Sequence, residues 1–306
     1  MAKLHLGVNL CWARKRWPEP DEWMRLTREK LGLKYVEYCS DMLDPFFTSE
    51  PGRSLAALEI KQKAKEYGIV VFDYYTGLAP HCMNLLSHPD LGARSDALRW
   101  CEEIIMLASK MGASGIGGHF DTIPDRIWRD PDLRELYKSN LIAAFQYLSR
   151  VAKLQGLNFI LWEQMYTPNE IPYTLDEAQE VYERANEGAD VPIYLTVDVG
   201  HACCLNYPHK PEDNDPYLWL KRFAHISPVI HLQQTDGKSS HHWPFTEQYN
   251  RVGIIHPEKV VEAIEASGSK ENYLMFEIFH SLGTNEEQLL GDLQRSIEYW
   301  REWVTD

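Results

Sequence analysis

Residues 157–200 read LNFILWEQMYTPNEIPYTLDEAQEVYERANEGADVPIYLTVDVG. The first seven, LNFILWE (157–163), form a short apolar run closed by an acid, the length of a buried strand. TLDEAQEVYERANEG (174–188) opens with Thr174 and Glu177 at capping-box spacing and ends on a glycine, which predicts a helix. VPIYLTVDVG (191–200) is a second strand. A strand, a helix and a strand in this order make a βαβ unit. Its parallel strands are covered on both faces and therefore read as nearly unbroken apolar runs.

The same alternation continues to both ends of the chain. Upstream, LHLGVNL (4–10), KYVEYC (34–39), IVVFDYY (69–75) and SGIGGHF (114–120) read as strands. Helical patterns at 19–32, 54–68, 90–112 and 131–156 separate them. Downstream, PVIHLQQ (228–234) and NYLMFEIF (272–279) are strands, with helical patterns at 215–225, 257–268 and 284–304. Eight βα units in 306 residues predict an α/β fold, a single-domain (β/α)₈ TIM barrel spanning residues 1–306. An open doubly wound sheet would carry a glycine-rich phosphate turn after its first strand. The turn here, NLCWARKRWPEP (9–20), has no glycine, and GIGGH (115–119) runs into His119 and Phe120 rather than a helix start. No Walker loop, GxSxG elbow or HExxH motif is present. The long connections, 40–53, 76–90 and 235–256, are where extra architecture is expected.

Composition narrows the function. With 31 basic and 45 acidic residues the net charge is −14, a surface that repels phosphate backbones, so nucleic acid is not an expected partner. No run approaches the roughly 18 apolar residues of a membrane span. MAKLHLGVNLCWARKR lacks the order of a signal peptide, which predicts a cytoplasmic protein. The six scattered cysteines then read as reduced thiols, with Cys203 and Cys204 as small buried residues beside a strand end.

In such a barrel the C-terminal strand ends converge on one face. Strand one ends at Asn9 and Cys11, strand two at Glu37 and Ser40, strand three at Tyr74 and Tyr75, and strand four at His119. The next four strands deliver Glu163, Asp198 with His201, His231 and Glu277. Each residue alone is as well explained by ordinary packing or pairing. As a set, Glu163, Asp198, His231 and Glu277 are three carboxylates and one imidazole at equivalent depth, which suits one divalent ion, Mn²⁺, Mg²⁺ or Co²⁺. Crowding three carboxylates without a cation would be costly. Aromatic residues near strand ends can wall a small-molecule pocket. Trp12, Tyr75 and Trp243 are candidates for this, whereas Trp17 and Trp162 read as core.

With these residues in place, the chain resembles the xylose-isomerase-like superfamily of sugar isomerases and epimerases over essentially its whole length. The motifs are FILWEQ around Glu163, VDVGH from Asp198 to His201, VIHLQQTD around His231 and MFEIF around Glu277. In the ketose 3-epimerases of that superfamily the matching Glu, Asp, His and Glu bind the ion. The resemblance therefore implies Glu163 and Glu277 as proton-transfer residues and His201 as a ligand of a substrate oxygen. CWARKRWPEPDEW and GGHF are closer to a branch acting on tetrulose phosphates or on apiose, which places His119 with the substrate. One departure stands out. The arginine that usually follows the seventh-strand histidine is missing, and Lys238 in TDGKSSHHWPF is the cation that could replace it or contact a phosphate; an ordinary solvated loop explains Lys238, His241 and His242 equally.

The implied activity is proton transfer through a metal-stabilised enediolate on a small, free, branched or phosphorylated tetrose or pentose, giving epimerisation or aldose–ketose isomerisation. Relatives of this kind are often homo-oligomers, dimers or tetramers. Three rivals share the fold: a metal-dependent dehydratase of the inosose type, an endonuclease IV-like nuclease, and a sugar-binding protein without activity. The nuclease needs about three zinc ions, more His and Asp ligands and a basic face, and the presence of both glutamates speaks against the inactive form.

Overall fold

A computed structural model of the protein describes residues 2–203 and 207–304. Eight parallel strands close into one barrel in sequence order. They are β1 (Lys3–Asn9), β2 (Tyr35–Cys39), β3 (Val70–Tyr75), β4 (Gly115–Gly118), β5 (Phe159–Glu163), β6 (Ile193–Asp198), β7 (Val229–Leu232) and β8 (Glu271–Phe276). Closure is made by β1 pairing with β8 from Lys3 opposite Glu271 to Val8 opposite Phe276. The single-domain (β/α)₈ TIM barrel expected from the alternation is the fold observed.

The helices fall where the patterns place them, with local differences. The helix expected at 19–32 starts at Pro20–Arg25 and continues as a π-helical turn over Leu26–Lys30. The long connections carry only short pieces, such as the 3₁₀ turn Ser40–Met42 and the one-turn helices Ala79–Cys82 and Glu247–Asn250. In the helix Leu175–Asn186, Thr174 accepts a hydrogen bond from the Glu177 amide and buries Leu175, Ala178, Val181 and Ala185 as a stripe on the barrel. No described helix is long and apolar enough to cross a membrane. Cys11, Cys39, Cys82, Cys101 and Cys203 are not joined in disulfides, and Cys204 lies outside the described residues.

Alternation along each strand divides the barrel lumen. On β5 the inward residues are Phe159, Leu161 and Glu163; on β8 and the residue after it they are Tyr273, Met275 and Glu277. The first two of each trio join an apolar plug of Phe72, Tyr75, Phe159, Leu161, Val229 and Met275, against which Tyr35, Tyr194 and Tyr273 pack. The third of each stands above it. The glycines of β4 make this packing possible. A Cβ on Gly117 would sit 2.6 Å from the Tyr75 ring, and one on Gly115 would sit 2.3 Å from the Phe159 ring. GIGGH is thus a space-making strand, not a phosphate turn. On the outer face, Trp162 stacks on Phe145 at 4.0 Å, in the core as expected.

Candidate active site

The carboxylates at the top of the lumen surround one imidazole. His231 Nδ1 lies 3.2 Å from Glu163 Oε1, 3.1 Å from Glu277 Oε2 and 3.8 Å from Asp198 Oδ2. One ligand atom from each of the four residues falls within 4.8 Å of all the others. Strand register builds this cluster: Asp198 pairs with His231 across β6 and β7, and Glu277 follows directly on β8. All four side chains are at most 10% exposed.

Two partners orient the set. The other ring nitrogen, His231 Nε2–H, donates to Glu37 Oε2 at 2.9 Å, which leaves Nδ1 aimed at the carboxylates. Gln233 Nε2 donates to Asp198 Oδ1 at 2.9 Å, and the Gly200 amide donates to the same oxygen at 2.6 Å. Glu37 in turn faces Asp73 on the neighbouring strand. Both are fully buried, and burial with the facing Glu37 holds the Asp73 carboxyl well above the usual range, hence protonated.

Electrostatics separate the two glutamates. Burial pushes Glu163 up to about 8. Burial acts upward on Glu277 too, but the His231 charge and hydrogen bond outweigh it and hold Glu277 well below the usual carboxylate range. His231 is raised well above its usual value, because Glu277 and Glu37 outweigh its burial. Burial lowers His201 to about 4, so it is neutral near pH 7. Its Nδ1–H donates to Gln164 O at 2.7 Å, which turns Nε2 toward Asp198. Three buried carboxylates, each with one oxygen turned inward, and one imidazole form a hard O,O,O,N donor set that fits a divalent cation.

A cavity of about 290 Å³ opens above the cluster. Glu163, Glu277, His201 and Tyr75 line it, four of the residues expected at the site. The other expected substrate contacts stand elsewhere. Trp12 is 1% exposed and packs on Trp17 at 5.3 Å, as core. Trp243 stacks on His241 and Tyr249. Lys238 is exposed and is not among the residues that line the cavity. His119 is fully buried, and His81 takes the place on the cavity wall. The cation in the wall is Arg14, whose Nη1 donates to Asp41 Oδ2 at 2.8 Å.

Sequence reasoning noted Glu37 at the end of β2 but assigned it no role; its register with the four ligands was the available signal. It gave His242 no more weight than a loop residue. His242 packs flat on Phe279 at 4.1 Å, lines the cavity, and lies near Asp198 and His201 in a further group of potential ligands. A third group joins His81, His119 and Glu170.

The chain was compared with known proteins. It is 24% identical over 299 residues to a D-erythrulose 1-phosphate 3-epimerase from Brucella abortus, covering 97% of this chain and 95% of that one. A crystal structure from Rhodospirillum rubrum, described only provisionally as a xylose isomerase, superposes with a TM-score of 0.90 at 27% identity, covering 98% and 99% of the two chains. D-psicose 3-epimerase from Clostridium cellulolyticum, solved with D-tagatose, shares the fold at a TM-score of 0.73 and 15% identity, over 99% and 100%. The sequence profile of the xylose isomerase-like TIM barrel family matches residues 28–303, and the chain belongs to that family.

Proposed function

We propose that the protein is a divalent-metal-dependent sugar epimerase or isomerase that moves a proton α to a carbonyl on a small sugar. The observation that carries this reading is the pairing of Glu163 and Glu277. Both reach the same imidazole nitrogen and both line the cavity. Two carboxylates side by side on one cavity are what a base and an acid sharing one site require. Similarity along nearly the whole chain to a tetrulose-phosphate 3-epimerase supports the same reaction class.

Glu163, Asp198, His231 and Glu277 would hold the ion, which supplies Lewis-acid polarisation of a substrate carbonyl. With the ion held, one of the two glutamates, Glu163 or Glu277, takes the α-proton and the other returns one. Return to the same carbon from the opposite side epimerises it; return to the neighbouring carbon interconverts aldose and ketose. His201 Nε2 accepts from a sugar hydroxyl, because Nδ1–H is committed to Gln164 O. Tyr75 and Phe279 supply ring surface that excludes water. The cavity, about 290 Å³, is at the small end of small-molecule sites and favours a tetrose or pentose.

The test is to strip the protein with a chelator, reload it separately with Mn²⁺, Mg²⁺ or Co²⁺, and supply free and phosphorylated tetroses and pentoses, including apiose. The reading predicts an epimer or an aldose/ketose partner from the reloaded protein alone. Loss of water from the substrate would replace it with a dehydratase, and no conversion under any loading would contradict it.

A further inference from the structure

Beside the four-residue cluster stands a second group that shares no residue with it. His81 comes from the one-turn helix Ala79–Cys82 after β3, His119 follows β4, and Glu170 lies in the connection after β5. Glu170 Oε1 is 3.9 Å from His119 Nε2 and 4.0 Å from His81 Nδ1. The two imidazole rings are 5.0 Å apart. His119 is fully buried, yet its ring nitrogens have no side-chain partner and no well-formed hydrogen bond, only a loose contact with the Asp121 backbone. A buried polar group left unmatched in this way calls for an explanation, and an absent ion is one of the standard ones.

The remaining chemistry agrees. Burial lowers the proton affinity of both His81 and His119, which keeps their nitrogens free to coordinate. Thr167 Oγ1 donates to Glu170 Oε2 at 2.8 Å, which turns Oε1 toward the imidazoles, the outer support expected of a ligating carboxylate. Two imidazoles and one carboxylate with an open fourth position are a donor set of zinc sites. Tetrahedral coordination at ~2.0–2.1 Å places donors roughly 3.3 Å apart, so the two imidazole–carboxylate separations of 3.9 and 4.0 Å must close by about 0.6–0.7 Å. His81 can supply that movement, since its side chain is 36% exposed and stands on the cavity wall.

We propose that His81, His119 and Glu170 form a second divalent-cation site of zinc type in the wall of the substrate cavity. It is separate from the Glu163–Asp198–His231–Glu277 site and reaches the same cavity through His81. It would bring positive charge to a cavity whose one lysine or arginine among the described residues, Arg14, is already paired with Asp41.

The experiment counts ions. Stripped full-length protein is titrated with Zn²⁺, desalted, and assayed for bound zinc by mass spectrometry, with a parallel Co²⁺ titration read by visible absorption. The proposal predicts two equivalents for the wild type and one for His81→Ala and for Glu170→Gln, each shown to be folded by circular dichroism. The Glu163→Gln/Glu277→Gln double variant should keep the equivalent that His81→Ala removes. One equivalent in the wild type, or two in folded His81→Ala, overturns the proposal. So does loss of the second equivalent in His242→Ala but not in His81→Ala, which would place it with Asp198 and His201. Zinc-edge anomalous diffraction from unmodified protein reads the same answer without a variant: a peak between His81, His119 and Glu170 is expected, and its absence with the first site filled overturns the assignment.

Discussion

The two halves of the barrel lumen are built from the same strands and do opposite things. The lower half is filled by Phe72, Phe159, Leu161, Val229 and Met275, which pack on one another and on the rings of Tyr35, Tyr194 and Tyr273. The upper half holds Glu37, Asp73, Glu163, Asp198, His231 and Glu277, all buried. On β5 the change from Leu161 to Glu163 takes one pleat, and on β8 the change from Met275 to Glu277 takes one as well. Buried side chains in the lower half favour folding through removal of apolar surface from water. Buried carboxylates in the upper half oppose it unless matched. A protein keeps such a layer for what it binds, and stability resides below it.

Four expectations can break or sharpen that contrast. The largest concerns chemistry. Glu163→Gln and Glu277→Gln should each lower kcat by roughly 10²–10⁴-fold, as general acid–base residues do, with the fold intact. A variant that turns over at the wild-type rate with its ion bound would remove that glutamate from the mechanism. The mirror experiment is in the plug. Leu161→Ala should cost about 2–5 kcal/mol of unfolding free energy, read by denaturant titration, and leave ion affinity unchanged. Lost affinity without lost stability would mean that the two halves are not separable.

A smaller effect tests the support of the site. Glu37→Gln keeps a side chain beside His231 Nε2 but removes the carboxylate, and should weaken ion binding about 10–100-fold in a calorimetric titration. The pH dependence of the ion-free protein is the mildest test. Glu163 in the folded chain sits near 8 against a usual 4.5, so the native state binds the extra proton. That stabilisation is complete below 4.5 and is lost as pH rises to 8. His231, raised above its usual 6.5, acts in the same direction, as does buried Glu177 near 7. Glu277, depressed, contributes above 4.5 and is already complete at the start of this window. Buried neutral His81, His119, His201, His242 and His280 act the other way, but their contribution is complete above their usual 6.5. The Tm of stripped protein should therefore fall from pH 7 to pH 8.5, and loading the ion should flatten the fall. A rising Tm in the stripped protein would contradict the charge assignment.

The contrast also explains which features were legible in the sequence. Strands buried on both faces announce themselves as apolar runs, so all eight could be placed, and an acid ending such a run, as in FILWE or YLMFE, is conspicuous. Glu163, Asp198, His231 and Glu277 were readable for that reason. Glu37 was less so, because YVEYC presents it inside a polar-looking strand and its partner His231 is 194 residues away. The substrate wall was least legible. Trp12 and Trp243 sit in the right loops but turn into the core and onto His241, while Arg14 and His81, two residues of unremarkable context, reach the cavity. Loop side chains are aimed by tertiary contacts that no local spacing records.

The central claim is that Glu163 and Glu277 move a proton at one sugar carbon beside a bound cation. Proton NMR in D₂O tests it directly, with the substrate found in the panel and the wild type, Glu163→Gln and Glu277→Gln proteins each loaded with the same ion. The account predicts solvent deuterium at a single carbon of the wild-type product and almost none with either variant. Conversion that keeps every substrate hydrogen in place, or full exchange by either variant, would contradict it.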